Sequence, residues 1–249
     1  MKRPHFLALF SILLFGALTR FINLGRPAEL VFDEVYYVDG AKDYLAHGVE
    51  LDKGAAEFIV HPPVGKWAIA LGIKVFGDNP FGWRFTAALI GTVSILLVYL
   101  IAKQLFKSEF VSLVVTALMA LDGLHLVMSR TALLDIFLSF FILLAFYLLI
   151  KEKLWWAGVV FGLALGSKWS AIYVLAAVGI YLLIANRRFL LTPVQFGLLP
   201  LSVYIFTWIG WFMSSDGWSR NSKSNPLASL INYHREILNF HTGDRKSVV

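Results

Sequence analysis

No cysteine occurs in the 249 residues, which excludes a disulfide framework and any thiolate metal site and leaves the redox compartment unread. Charge is also scarce. Asp, Glu, Lys and Arg make up 15% of the chain, against roughly 25% in ordinary soluble domains. Repeats of fixed period and low-complexity linkers are missing as well, which argues against a solenoid or a string of tethered modules. What fills the chain instead is apolar: 58% of residues are hydrophobic and the mean hydropathy is +0.71. That is more apolar surface than one soluble core can absorb, and it places the protein in a bilayer. The formal net charge of +6 raises the question of nucleic acid. The Lys and Arg residues, however, sit as pairs between apolar runs and not along one face, so no nucleic-acid partner is expected.

Apolar runs long enough to cross about 30 Å of hydrocarbon extend from Phe6 to Ile22, Phe85 to Ala102, Phe110 to Met128, Thr131 to Ile150 and Gln195 to Met213. The stretch from Leu154 to Ala185 is apolar except at Gly166-Ser167-Lys168. As one helix it would extend about 48 Å at 1.5 Å per residue, too long for a single crossing. Charge sets the parity. Placing Lys2-Arg3, Lys103 with Lys107, Lys151 with Lys153, and Arg187-Arg188 in the cytoplasm satisfies the positive-inside rule only if two crossings lie between Lys153 and Arg187. The expectation is an all-α polytopic membrane protein with about seven transmembrane helices and a cytoplasmic N-terminus. The first run is expected to be retained, because no small-x-small cleavage site follows it and Arg20 interrupts the expected position. Three segments then face outward: a long loop from Asn23 to Trp83, the corner from Asp122 to Arg130, and everything after Ser214.

The first outer loop carries the most chemistry. Tyr37, Ala41, Tyr44 and Leu45 share one side at helical spacing and Gly48 stands at C′, so the segment from Asp33 reads as a helix lying along the membrane surface. Asp33 and Glu34 are adjacent acids at a membrane edge, where an ionised carboxylate loses hydration unless a proton, cation or polar substrate uses it. Asp33 also suits an N-cap and Glu34 the first helical turn, and the two roles are compatible. Lys66 to Phe76 is too short to span and reads as a second interfacial helix with Trp67 as anchor. Before it, Pro62-Pro63 holds His61 in extended geometry, as an ordinary loop polar residue or as a fixed imidazole. Arg84 opens the next span, either snorkelling or clamping a phosphate. Arg130 and Asp135 are close enough in sequence for a local ion pair. Lys168 stands in a tight outer corner with no acid nearby in sequence, which leaves it to lipid phosphate or to an anionic ligand.

Phe32-Asp33-Glu34-Val35-Tyr36-Tyr37, His61-Pro62-Pro63-Val64-Gly65-Lys66-Trp67, Arg84, Ser129-Arg130-Thr131-Ala132-Leu133-Leu134-Asp135 and Gly166-Ser167-Lys168-Trp169 occur in the order seen in the protein O-mannosyltransferases. The chain resembles their bacterial branch from its first span to Tyr233-His234 and His241. The resemblance implies a GT-C glycosyltransferase fold and inverting transfer of mannose from polyprenyl-phosphate-mannose to Ser or Thr hydroxyls of exported proteins, at the outer face of the cell membrane. It implies that Asp33 is the catalytic acid residue, supported by Glu34, and that Arg84 meets the lipid phosphate with His61 and Lys66-Trp67 in the same pocket. Arg130, Asp135 and Lys168 are expected among the substrate-binding residues. Members of the family continue through further spans and carry a His-Pro-Tyr/Trp-Pro type motif on the next outer loop, which this sequence does not contain.

The chemistry is consistent with those residues. A sugar on a lipid monophosphate has an adequate leaving group, so a displacement needs a base for the hydroxyl proton and cations for the phosphate. No metal and no cofactor are expected, the lipid-linked sugar being a co-substrate. A related GT-C transferase acting on a lipid or glycan, such as the aminoarabinose transferases, is the near alternative. A transporter is the distant one, since transporters place acids inside spans and show paired repeats. Residues 1–243 are read as the N-terminal part of the transferase domain. Asp244 to Val249 match the translation of a common sequencing-library adapter followed by a stop, so the tail is expected to be foreign and the chain by itself inactive.

Overall fold

The computed structural model describes residues 3–185 and 191–243. Lys2, the Arg187-Arg188 pair and the tail from Asp244 lie outside them. Two helices, α1 (Arg3–Phe21) and α4 (Pro80–Phe106), are long and apolar enough to cross a membrane, and five shorter apolar segments accompany them. Seven apolar segments result, as the hydropathy pattern predicts. On α1 the side chains of Phe6, Leu7, Phe10, Leu14 and Leu18 are exposed. In a bilayer that surface faces lipid, where burial in protein is not required. Helix α4 is the central post, packed by α1, by α3 (Val64–Phe76), by α5 (Glu109–Leu121) and by α7 (Leu134–Ile150). It starts where Asn79 accepts hydrogen bonds from the amides of Phe81 (3.1 Å) and Gly82 (3.0 Å), with Pro80 in the first turn where its missing N–H is harmless.

Two of the expected spans are interrupted. The run from Phe110 to Met128 breaks at Asp122, whose backbone turns extended and whose carboxylate accepts from the His125 amide at 2.6 Å, starting the short α6 (Gly123–Met128). A carboxylate that can cap a helix offers the chain a reason to stop and restart. The run from Gln195 to Met213 begins as a π-helical turn (Val194–Leu198) and continues as α10 (Leu199–Thr207) and α11 (Ile209–Met213). Pro200 cannot donate to the ladder, so the turn before it widens. The long stretch from Leu154 divides as charge parity requires, into α8 (Leu154–Ser167) and α9 (Ala171–Ala185), with Lys168, Trp169 and Ser170 in the corner.

On the outer loop, α2 (Glu34–Ala46) and α3 form where expected and pack on each other and on the bundle. The buried stripe of α2 is Glu34, Tyr37, Val38 and Ala41, and Leu45 is 44% exposed. The expected apolar face is therefore rotated toward the N-terminal turn, because Glu34 is drawn inward by an ion pair. Between the two helices a hairpin pairs Leu51–Asp52 (β1) with Ala55–Ala56 (β2). Lys53 and Gly54 both have positive φ (+52° and +84°), the geometry of a two-residue turn whose twist matches the strands. After the last apolar segment comes α12 (Pro226–Thr242), capped by Asn225 on the Ala228 amide at 2.8 Å and closed by Gly243 at φ +85°. Its buried residues, Leu230, Tyr233 and Ile237, join a core with Phe161, Phe196, Tyr204 and Trp208. α12 was not anticipated, although Asn225-Pro226 and Gly243 are ordinary helix start and stop signals.

Candidate active site

Asp33 and Glu34 are consecutive residues with opposite surroundings. Glu34 lies completely buried and forms a two-pronged pair with Arg84, Nε to Oε1 and Nη2 to Oε2, both at 2.7 Å. Its oxygens also accept from the amides of Val31 (2.9 Å) and Ala132 (2.8 Å). The rest of the Arg84 guanidinium goes to backbone carbonyls, Pro27 at 2.7 Å and Glu29 at 3.0 Å. The phosphate-clamp expectation for Arg84 thus meets a guanidinium whose donors are already taken by protein acceptors. Its exposure is 0%, its donors face protein acceptors, and a buried charge so satisfied fixes geometry instead of waiting for a ligand. Glu34 accordingly ties α2 to α4 and to the segment before α7.

Arg130 is spent in a similar way. It donates to the carbonyls of Thr19 (2.7 Å), Arg20 (3.1 Å) and Ile22 (2.9 Å). Those are orphan acceptors at the end of α1, and a cation there also complements the helix dipole. The expected ion pair with Asp135 does not form. Asp135 instead accepts from Lys168 Nζ at 2.8 Å, so Lys168 is not solitary either. The two residues are 33 apart in sequence, and only the packing of α7 against α8 brings them together.

Asp33 occupies the N-cap position of α2, but its carboxylate makes no cap hydrogen bond. Among the described residues its hydrogen-bond partner is the Tyr37 hydroxyl, which donates at 3.5 Å, a long and weak contact one helical turn on. The carboxylate lines a pocket of about 400 Å³ together with Tyr36, Tyr37, Glu50, Glu57, His61, Lys66 and Phe240. Lys66 is buried in an ion pair with Glu50, which neutralises both inside the pocket wall. Burial pushes the Glu50 carboxyl up, and the Lys66 ammonium opposes that. Tyr37 is also pushed up, first by burial and then by the charges of Asp33 and Asp135, so its hydroxyl keeps its proton.

His61 stands at the join of two halves of the site. Its ring meets Tyr37 edge-on at 5.9 Å and His241 at 5.7 Å, and its buried Nδ1 has no hydrogen-bond partner. Burial, then Lys168, Lys66 and His241, push its pKa down to about 4, with Asp135 opposing. The imidazole is therefore neutral near pH 7. Trp169, next to Lys168, meets His241 at 6.0 Å, and His241 meets His61 at 5.7 Å, so the Lys168 corner lies beside the pocket. Of the anticipated site residues, Asp33 and His61 line the pocket, Asp135 and Lys168 pair with each other next to it, and Glu34, Arg84 and Arg130 are bonded to protein acceptors.

Residues not anticipated complete the wall. The Tyr233 hydroxyl accepts from the Ile59 amide at 3.0 Å and donates to the Ile59 carbonyl at 2.9 Å, clamping the segment that leads to His61. His241 Nε2 lies 3.3 Å from the Val60 carbonyl. On the far side of Lys168, Trp169 donates to the Tyr204 hydroxyl at 2.8 Å and stacks on His234 at 5.6 Å, bordering an apolar groove with Leu201, Ile205 and Leu230. The pairing of Glu50 with Lys66, 16 residues apart, and the Tyr233 clamp had no local sequence signal.

The chain and its helical plan are similar to known proteins. A family model described as dolichyl-phosphate-mannose-protein mannosyltransferase matches residues 10–214. The polyprenol-phosphate-mannose--protein mannosyltransferase of Mycobacterium tuberculosis is 34% identical over 93% of this chain and 56% of its own. The protein of that name from Corynebacterium glutamicum is 30% identical over 92% of this chain and 58% of its own. The chain thus spans a little over half the length of these relatives. Among solved structures, the Saccharomyces cerevisiae Pmt1-Pmt2 protein O-mannosyltransferase complex bound to the sugar donor aligns with a TM-score of 0.75 at 22% identity, over 90% of this chain and 37% of that one. The fold is the all-α GT-C type of a multi-pass membrane protein. With a family model over most of its length and relatives at about a third identity, the chain belongs to the dolichyl-phosphate-mannose-protein mannosyltransferase family.

Proposed function

We propose that this chain carries the catalytic pocket of a transferase that moves mannose from polyprenyl-phosphate-mannose to Ser or Thr hydroxyls of exported proteins. The observation that carries the reading is the pocket itself. It sets a half-buried carboxylate, Asp33, held among the described residues only by a long contact from Tyr37, beside a neutral His61, with the half-exposed Lys168–Asp135 pair next to the pocket. The names of the relatives supply the substrates.

Asp33 accepts the proton of the acceptor hydroxyl as its oxygen attacks the anomeric carbon. The bond from that carbon to the phosphate oxygen breaks, and the electron pair leaves on the lipid phosphate. One displacement inverts the anomeric centre. Lys168 exchanges Asp135 for the phosphate and holds the charge that develops there; a half-exposed ion pair is worth about 1 kcal/mol or less, so the exchange is easy. Tyr37 keeps Asp33 oriented, and Glu34 with Arg84 fixes the turn from which Asp33 projects. No metal enters this reaction, and the lipid-linked sugar is consumed as co-substrate. Positive-inside parity puts the pocket at the outer face, with the N-terminus in the cytoplasm and the donor's prenyl chain left in the bilayer.

The test is a transfer assay with labelled polyprenyl-phosphate-mannose in vesicles, using protein expressed from the complete gene and offered a Ser/Thr peptide or a lipid acceptor. Mannosylated peptide with the anomer opposite to the donor's is expected. Transfer to the lipid alone, or retention of configuration, would refute the reading.

A further inference from the structure

The donor and the spent donor differ in charge at one atom. The phosphodiester of a polyprenyl-phosphate sugar carries one negative charge. The monoester left after transfer has a second ionisation near pH 6 and carries about −1.5 to −2 at pH 7. A site that binds phosphate through cations alone would hold the product more tightly than the substrate. This site is not built from cations alone. Asp135, in the first turn of α7, holds Lys168 through a single oxygen at 2.8 Å. The pair lies next to the pocket, because Trp169, the neighbour of Lys168, meets His241 at 6.0 Å and His241 meets His61 at 5.7 Å; the Asp135 charge is accordingly felt by Tyr37 and His61. Asp135 and Lys168 are 44% and 27% exposed, so the bond between them is open to exchange. Lys66, the other cation near His61, is already neutralised by buried Glu50.

We propose that Asp135 sets the charge selectivity of the Lys168 site, offsetting the ammonium's attraction for the second charge of the monoester so that spent lipid is held no more tightly than the donor. This rests on the reading that the donor phosphate docks at Lys168. When Lys168 turns to the phosphate, Asp135 stays anchored beside it on α7. Lys168 attracts each phosphate charge and Asp135 opposes each. The net attraction per phosphate charge is therefore small, and the diester is held mainly by the ammonium's N–H donors, which either phosphate can accept. The extra charge of the monoester gains little, because attraction and repulsion nearly cancel.

The titratable groups around the pair are Tyr37 of α2, which feels Asp135, and His61, which feels both; Asp33, Lys66 of α3 and His241 of α12 act in turn on those two. His61 is neutral above about pH 5. All of these groups are common to the wild type and an Asp135 variant, so the difference between their pH profiles isolates Asp135.

The experiment is displacement of a fluorescent polyprenyl phosphodiester from the complete protein in nanodiscs, by polyprenyl monophosphate and by its methyl diester, between pH 5.5 and 7.5. In the wild type the monoester should bind within about threefold of the diester, with little pH dependence. Asp135→Asn should raise monoester affinity about five- to tenfold relative to diester, increasingly so as pH rises through 6. Asp135→Glu should behave as wild type. An unchanged monoester-to-diester ratio in Asp135→Asn would overturn the proposal. So would wild-type monoester binding that tightens steeply above pH 6, a result that needs no variant to fold. Lys168→Ala separates the two layers. Unchanged affinity for both phosphates would overturn the phosphate site and this role with it, whereas weakened affinity for both with an unaltered Asp135→Asn ratio would overturn the role of Asp135 alone.

Discussion

Two ion pairs stand within reach of the same pocket and are built on opposite principles. Glu34 and Arg84 are both 0% exposed, joined by two bonds of 2.7 Å, and every remaining prong is taken by backbone. Asp135 and Lys168 share one bond of 2.8 Å at 44% and 27% exposure. A buried pair with all its partners satisfied holds geometry and is ruinous to break; a half-exposed pair with one bond contributes little and exchanges readily. The lesson is that an arginine or acid near a site is framework or machinery according to how much of its hydrogen bonding the protein already uses. By that measure Arg84, Glu34 and Arg130 are framework, and Asp33, Asp135 and Lys168 are free to act.

The comparison can be broken from its strong side first. Arg84→Ala leaves the Glu34 carboxylate buried without its partner, which should destabilise the protein by roughly 3–5 kcal/mol. Thermal unfolding in detergent should show a greatly lowered midpoint. A stable variant whose only defect is weak donor binding would return Arg84 to the phosphate. On the weak side, Lys168→Ala should leave the unfolding midpoint within a few degrees and weaken donor binding about five- to twentyfold, as expected for one charged hydrogen bond. Donor titration in nanodiscs checks it, and an unfolded variant would contradict the contrast. A separate effect, on stability, attaches to His61, whose pKa is held at about 4 against about 6.5 in an unfolded chain. Between those values the unfolded chain binds the proton and the native one resists it. Stability is thus complete above pH 6.5 and lost as pH falls toward 4, by roughly 2–3 kcal/mol. His61→Gln should flatten that part of the dependence when unfolding midpoints at pH 7.5 and 4.5 are compared. An identical acid loss in the variant would place the sensitivity elsewhere.

Much of this was legible in the chain. Apolar runs and paired lysines located the seven segments, and the split between α8 and α9 followed from length and charge alone. Gly48, Gly77 and the two interfacial helices were readable from capping and periodicity. The failures share one cause. Arg84 meets Glu34 across 50 residues and Lys168 meets Asp135 across 33, and no local pattern says which of several acids a cation will find. Arg130 and Asp135, near neighbours in sequence, go to different partners because Arg130 reaches the open carbonyls of α1 first. The breaks at Asp122 and Pro200 show the reverse: single polar or imino residues inside hydrophobic runs, audible in the sequence and outvoted there by hydropathy. Helix α12 is hard to read in the chain for a similar reason: its mixed composition lacks a long apolar run, and only Asn225-Pro226 and Gly243 mark its ends.

The central claim is that of two adjacent acids Asp33 does the chemistry and Glu34 holds the frame. Turnover of Asp33→Asn with labelled donor and peptide acceptor, measured beside its donor affinity and unfolding midpoint, tests it most directly. The account predicts a loss of about 10²–10⁴-fold in turnover, the usual contribution of a positioned base, with donor binding and stability close to wild type. Near wild-type turnover in that variant would contradict it.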